Sequence, residues 1–315
     1  MSGLGLPQLV RVESRRGTFT VYDTLLGDQI LILLHGLGAT SQTFGCFVKS
    51  LPEGIRAIAF DCRGHGNTKF DDPLQDLALS SENLVRDGFE LISQLLPNPT
   101  TKFVLCGHSM GGAIAVRLAS AMFPERCAGL VVIEAIEGVA LRALENPTLL
   151  NGSMRPERFR TLQDALAWSC SPAGPLPGAS FSASVSIPDQ LKTDSSGLGL
   201  VWKTNPLTSV EYWLGWFVGL SDMFLKCPVR WKALVVSQVD KLDAELTVGQ
   251  MQGKFQLVVM PGTGHFVHEI APGQTCARVA QFIVQHVAPA RQQQPRGLSA
   301  SEIIALRASL RQFPG

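Results

Sequence analysis

Residues 104–118 read Val-Leu-Cys-Gly-His-Ser-Met-Gly-Gly-Ala-Ile-Ala-Val-Arg-Leu. An apolar run, Lys102 to Cys106, enters a Gly-x-Ser-x-Gly pentapeptide, Gly107 to Gly111, and an apolar helical run, Ala113 to Phe123, leaves it. A serine held on so tight a strand-to-helix turn sits at strained backbone angles, so the residues two away on either side must lack bulk. The turn lifts the hydroxyl above a sheet and sets it over a helix N-terminus, whose free N–H groups can meet a developing oxyanion. Gly-x-Ser-x-Gly is common by itself. Here the strand and helix that the chemistry requires flank it, which makes Ser109 the candidate nucleophile.

Two further segments fit the same plan. Leu31-Ile-Leu-Leu-His-Gly-Leu-Gly38 is a buried-strand pattern running into a loop at His35–Gly38, which in serine hydrolases on such sheets supplies the second oxyanion N–H. Late in the chain a strand-like run, Phe255 to Met260, is followed by Pro261-Gly-Thr-Gly264-His265. A histidine just past a late strand is where the general base falls in the chain order Ser…Asp/Glu…His.

Strand-like runs recur at Leu9–Val12, Thr18–Tyr22, Ile30–Leu34, Ile55–Phe60, Lys102–Cys106, Leu130–Glu134, Ala233–Ser237 and Phe255–Met260. From Ile30 onward most are short and continuously apolar, as parallel strands covered on both faces are. Helical patterns alternate with them at about Ser81–Leu96, Gly112–Phe123 and Gln274–Val287. The first two runs lie close together and predict an antiparallel hairpin at one edge. The plan is α/β, with a mostly parallel central sheet flanked by helices.

The alternation breaks between Gly138 and about Val229. Thr161-x-x-Asp164 and Thr208-x-x-Glu211 read there as capping boxes, and Ser171–Leu200, rich in Ser, Pro and Gly, reads as a mobile loop. The division is thus a core of 1–138 and 230–287, an inserted helical cap over 139–229 with a loop at 171–200, and a tail over 288–315. In the tail a polar linker precedes a short amphipathic helix capped by Ser299, which either docks on its own domain or serves as a partner helix. The second cap helix is aromatic, with Tyr212, Trp213, Trp216 and Phe217. These either pack the cap on the core or, in the case of Trp213 and Trp216, line a substrate pocket.

With 27 basic and 26 acidic residues in 315, the net charge is +1, and nothing suggests a nucleic-acid surface or a polybasic membrane patch. No apolar stretch approaches the length of a bilayer span. The first residues carry no secretory leader pattern, and Ser2 does not suit myristoylation. Seven widely spaced cysteines without a Cys-x-x-Cys pair read as buried reduced thiols of a cytoplasmic or nuclear protein, not as disulfides or metal ligands. The chemistry needs neither metal nor cofactor.

In that chemistry Ser109 attacks, His265 takes and returns the proton, and the Leu37 and Met110 N–H groups bind the oxyanion. His268 lies too far along its loop to replace His265. His35 and His108 are hydrogen-bonding motif residues, and His65, in Asp61-Cys-Arg-Gly-His-Gly66, belongs to loop architecture. For the acid, Glu134 and Asp240 both satisfy the chain order and both follow strands, so the residues alone leave the choice open.

Several stretches go beyond the shared elbow. Gly107-His-Ser-Met-Gly-Gly-Ala-Ile-Ala-Val116, Ile133-Glu-Ala-Ile-Glu-Gly138, Glu211-Tyr-Trp-Leu-Gly-Trp-Phe217, Gly219-Leu-Ser221, Val239-Asp-Lys-Leu-Asp243, Leu246-Thr-Val-Gly-Gln-Met-Gln-Gly-Lys-Phe-Gln256 and Gly264-His-Phe-Val-His-Glu269 together resemble the protein phosphatase methylesterases, over roughly Gly17 to Val287. The resemblance implies an α/β-hydrolase fold with an inserted cap. It also implies removal of the methyl ester from the C-terminal leucine of the protein phosphatase 2A catalytic subunit, which would be the partner. It places the triad at Ser109, Glu134 and His265, although the family has Asp where Glu134 stands, and Asp240 stays the alternative. The family's cap insertion is longer and often acidic; Ser171–Leu200 resembles a shorter version with few charges. Gln250–Gln256 is either a turn into the next strand or a docking segment for the phosphatase, through Met251 and Lys254. A general small-ester or lactone hydrolase, and a phosphatase-binding protein whose main role is docking, are the competing functions.

Overall fold

The computed structural model describes residues 9–14, 16–145 and 155–287. Its strands are β1 Leu9–Ser14, β2 Gly17–Asp23, β3 Gln29–Leu34, β4 Ile55–Phe60, β5 Lys69–Phe70, β6 Phe103–His108, β7 Cys127–Ile133, β8 Arg158–Phe159, β9 Leu191–Thr193, β10 Leu200–Trp202, β11 Trp231–Val236 and β12 Gln256–Val259. Nine of them form one sheet in the order β1-β2-β4-β3-β6-β7-β11-β12, with β5 beside β2. Every pairing from β4 across to β12 is parallel, and the β1–β2 hairpin joins the edge antiparallel.

The apolar runs are continuous because both faces of the sheet are covered. Along β3, Ile30, Ile32 and Leu34 enter one hydrophobic cluster while Leu31 and Leu33 enter the opposite one. On β6, Phe103 and Leu105 divide in the same way from Val104 and Cys106. Each such side chain contributes about 1.5–3 kcal/mol on full burial. The helix Ser81–Leu95 begins where the Ser80 side chain accepts the Asn83 N–H, and it turns Leu84, Val85, Gly88, Leu91 and Ile92 toward the core. Its stripe follows the i, i+3/i+4 spacing of a helix with one buried side.

Between β7 and β11 the chain leaves the sheet. It builds a small core of its own from Phe159, Ala165, Leu176, Ala183, Ile187 and Leu191, with the three-stranded sheet β8-β10-β9 along it. The capping box at Thr161 and Asp164 forms. The one expected at Thr208 does not: Asn205 caps a 3-10 turn, Pro206–Ser209, which leads directly into the helix Val210–Phe217. The loop expected over Ser171–Leu200 is corrected too. It holds a helix, Ser180–Gln190, and the strand β9, because Ala183, Val185 and Ile187 find burial that outweighs the poor helix propensity of the intervening serines. The inserted segment is fastened to the loop after β4 by Thr204 Oγ1, which donates to Gly64 O at 2.7 Å, and by Lys203 Nζ, which donates to Asn67 Oδ1 at 2.8 Å. The tail linker and helix lie outside the described residues. No helix among the described residues is long and apolar enough to cross a membrane.

Candidate active site

Ser109 stands between β6 and the helix Met110–Arg117 with φ 51° and ψ −119°, in a region that side-chain-bearing residues rarely occupy. Close packing makes the flanking glycines necessary. A Cβ on Gly107 would lie 2.2 Å from the Gly111 carbonyl oxygen, and one on Gly111 would lie 2.3 Å from that of Leu34. The turn is held from below by the Ser109 N–H, which donates to Ile133 O at 2.9 Å. As the first helical residue, Met110 presents an N–H with no partner within its own helix.

The loop after β3 is fixed by two histidines. His35 accepts the Cys62 N–H at Nε2, 2.9 Å, and places Nδ1 2.8 Å from Gly36 O. His65 accepts the Gly38 N–H at Nε2, 3.0 Å, and places Nδ1 2.8 Å from Arg63 O. Burial lowers His35 to about 4 and His65 to about 3, so both are neutral acceptors at physiological pH. His65 sits in place because Asp61 gathers the turn, accepting from the Ser41 N–H and hydroxyl and from the Asn67 N–H at 2.8–3.0 Å. The architectural roles expected of His35 and His65 therefore amount to positioning the backbone around Leu37.

Glu134 caps β7, also at positive φ, 50°, with its N–H on Val235 O. Its carboxylate is buried and crowded: Oε1 accepts the Ser237 N–H at 2.5 Å, while Oε2 takes Lys241 Nζ at 2.8 Å and lies 3.4 Å from His265 Nδ1. Burial pushes this carboxyl up, but hydrogen bonds from His265, Lys241 and Ser237 outweigh it and hold it at about 2. Asp240, the alternative acid, lies exposed on the short turn Val239–Lys241 and makes no hydrogen bond to His265. Lys241 next to it is part of the stretch Val239–Asp243, but its contact with Glu134 is not foreseen from the sequence.

The His265 side chain is 48% exposed, and its loop is tied to the elbow by His108, whose Nε2–H donates to His265 O at 2.9 Å. Burial keeps His108 well below the usual histidine range, so it is neutral with its proton on Nε2. His268 is buried against Phe44 and His108 and does not reach the cleft.

Ser109, Glu134, His265 and Leu37 line one cavity of about 460 Å³, closed by Ile136, Val139, Trp213, Phe217 and Phe266 among others. Trp213 is a wall, with Nε1 on Ser209 Oγ. Trp216, expected beside it, is corrected: it is 1% exposed, bonded through Nε1 to Leu79 O, and packs in the main core. Three residues further along a helix is the same face but not the same depth, and Trp216 faces the sheet. Arg155 also lines the cavity and was not foreseen. Met251 and Lys254 lie away from it on the surface, at and just beyond the end of the helix Ala244–Met251. Neither is among the residues lining the cavity.

Comparison with known proteins agrees with this geometry. The pattern described as "Alpha/beta hydrolase family" matches residues 31–281. The human protein phosphatase methylesterase 1 is 34% identical over 323 residues, covering 88% of this chain and 82% of that one. A probable protein phosphatase methylesterase 1 of Caenorhabditis elegans is 38% identical, covering 85% and 72%, and the Schizosaccharomyces pombe protein is 36% identical, covering 84% and 78%. Among solved structures, E-2-(acetamidomethylene)succinate hydrolase superposes with a TM-score of 0.70 at 23% identity, over 88% of this chain and 99% of that one. A peroxisomal alpha-beta-hydrolase of Saccharomyces cerevisiae gives 0.67 at 15%, over 96% and 95%. At these identities the structural likeness speaks for the fold alone, whereas the sequence likeness goes further. The chain is a carboxylic ester hydrolase of the α/β-hydrolase fold and belongs to the protein phosphatase methylesterase family.

Proposed function

We propose that this chain removes the methyl ester from the C-terminal leucine of the protein phosphatase 2A catalytic subunit, with Ser109, His265 and Glu134 as its triad. The observation that carries the reading is the convergence on one cavity of a strained serine at a helix N-terminus and a histidine facing a buried, ionised carboxylate. Ser109 Oγ attacks the ester carbonyl as His265 takes its proton, and the oxyanion is received by the Leu37 and Met110 N–H groups. Methanol leaves with the proton from His265, giving an acyl-serine. Water, deprotonated by the same histidine, then releases the leucine carboxylate. Glu134 holds the imidazole tautomer and stabilises the imidazolium.

Met251 and Lys254 are the docking residues in this reading. Met251 is 79% exposed, which suits a partner contact better than a place in the core. A phosphatase partner also agrees with a cytoplasmic or nuclear location, as do the unpaired cysteines, all buried except Cys170.

The test is incubation with carboxymethylated phosphatase 2A, following loss of the methyl group. Wild type should demethylate it, and Ser109→Ala should lose at least about 10⁴-fold in kcat on it and on a small activated ester. Met251→Asp should weaken demethylation and binding while the small ester and the melting temperature stay near wild type. Turnover of small esters without any demethylation would leave a general esterase and remove the phosphatase from the reading.

A further inference from the structure

The cavity wall contains one guanidinium for which nothing in the proposed ester hydrolysis has a use. Arg155 lines the cavity together with Ser109, His265 and Leu37. Its contacts are weak ones: both terminal nitrogens lie 3.5 Å from Gly38 O, and the carbon between them sits 4.4 Å over the Trp202 ring. No carboxylate pairs with it among the described residues, and the stretch before it, 146–154, contains neither Asp nor Glu. Other arginines of this protein are matched: Arg63 with Asp87 at 2.5 Å, Arg56 with Asp23 at 2.6 Å, Arg158 with Asp194 at 2.5 Å. Burial lowers Arg155 to about 10, with no neighbouring acid opposing that shift, and the group remains charged near neutral pH. Glu134, the cavity's carboxylate, is already engaged by His265, Lys241 and Ser237.

A guanidinium carries five N–H donors, and two long contacts to the single Gly38 carbonyl leave donors over for an acceptor such as a carboxylate. Much of the remaining cavity lining is apolar, including Ile136, Val139, Ala140 and Phe217. The arrangement suits an acyl group that is mainly hydrocarbon and carries one anionic end.

We propose that Arg155 is the specificity residue of the cleft and binds a carboxylate on the acyl side of the ester, so that the preferred substrates are esters whose acyl portion carries a second, free carboxyl group. For a peptide substrate this is an acidic group near the esterified C-terminus. The inference rests on the esterase reading above and deepens it by naming the substrate's charge.

The test compares matched 4-nitrophenyl monoesters: those of succinic, glutaric and adipic acids against the corresponding monoamides, each corrected for spontaneous hydrolysis. For at least one chain length wild type should prefer the carboxylate by at least about tenfold in kcat/KM, carried mainly by KM. In Arg155→Met that ratio should fall toward one, and Arg155→Lys should restore part of it. Wild type also decides without a variant, should Arg155→Met fail to fold: the free dicarboxylate should inhibit competitively where the diamide does not. A ratio near one in wild type at every length, equal inhibition by both, or an unchanged ratio in folded Arg155→Met overturns the inference while leaving the esterase intact. Failure to hydrolyse any of these esters overturns the esterase reading and this inference with it.

Discussion

The two sides of the cleft are built to different tolerances. On the side of the loop after β3, His35 and His65 are wholly buried, each ring nitrogen has a partner at 2.8–3.0 Å, and Asp61 locks the turn behind them. On the other side His265 is half exposed and meets Glu134 at 3.4 Å, while Lys241 takes the shorter contact. The difference fits the role proposed for each side. Backbone donors aimed at an oxyanion work only if they need no rearrangement when charge appears. A base that takes a proton from one atom and gives it to another needs room to shift, and loose contacts before substrate arrives are usual for it.

The comparison breaks first at Glu134. Glu134→Gln should cut kcat by about 10³–10⁴, because the amide can present the wrong group to Nδ1 and cannot stabilise an imidazolium. Asp240→Asn should change it by less than about twofold, as expected of an exposed surface substitution. The reverse order in a steady-state assay on a small ester would move the acid to Asp240.

On the tight side, His65→Ala strips the Gly38 N–H of its acceptor. It should cost about 1–3 kcal/mol in stability. Through a loosened oxyanion loop it should also lower kcat by about 10–100-fold, short of the effect of deleting a donor. A melt and a kcat measurement check both. An unchanged kcat would mean that the loop does not depend on this bond.

A smaller effect is expected at Lys241. Glu134 is held below its unfolded value, so its stabilising contribution is complete above about pH 4.5 and is lost as pH falls toward 2. Lys241→Met removes one of the hydrogen bonds that hold it down. The dependence of stability on pH across that window should then flatten, as followed by denaturant melts. Should the slope persist unaltered, His265 and Ser237 alone would account for the depressed carboxyl.

A separate change, confined to stability, is expected at Glu269. Its carboxyl is buried, with Oε2 unpartnered, and burial raises it to about 8. The unfolded chain ionises near pH 4.5 and the folded one does not until about 8, so this group takes stability away as pH rises through that range. Glu269→Gln should raise the melting temperature at pH 8 and leave it near wild type at pH 4.5. No difference at pH 8 would show that the carboxyl is already ionised in the fold.

Much of this layout could be read from the chain because it depends on local signals. The elbow glycines are legible because backbone meets backbone within a few residues, and β3 and β6 because they are apolar on both faces. Glu134 could be narrowed to a choice of two, but its contact with His265 spans 131 residues and no local pattern encodes it. The helix Ser180–Gln190 was hidden because its sequence is that of a loop and its stability comes from the burial of Ala183 and Ile187. Trp216 and Trp213 share a helical stripe, and only the height of the cap over the sheet separates core from cavity. Arg155 carries no periodicity at all; its significance is that no acid among the described residues pairs with it, which a sequence cannot display.

The bond from His108 to His265 O ties the residue preceding Ser109 to the backbone of the proposed base, 157 positions apart, and it uses nothing from the segment between β7 and β11. The proposed nucleophile and base are thus joined to each other on the sheet, independently of the segment between β7 and β11 that covers them. A lineage, or an engineer, can rebuild the roof without retuning the machinery beneath it. On the proposed roles, what such a chain hydrolyses is free to drift with residues such as Arg155, while how it hydrolyses is inherited with the sheet.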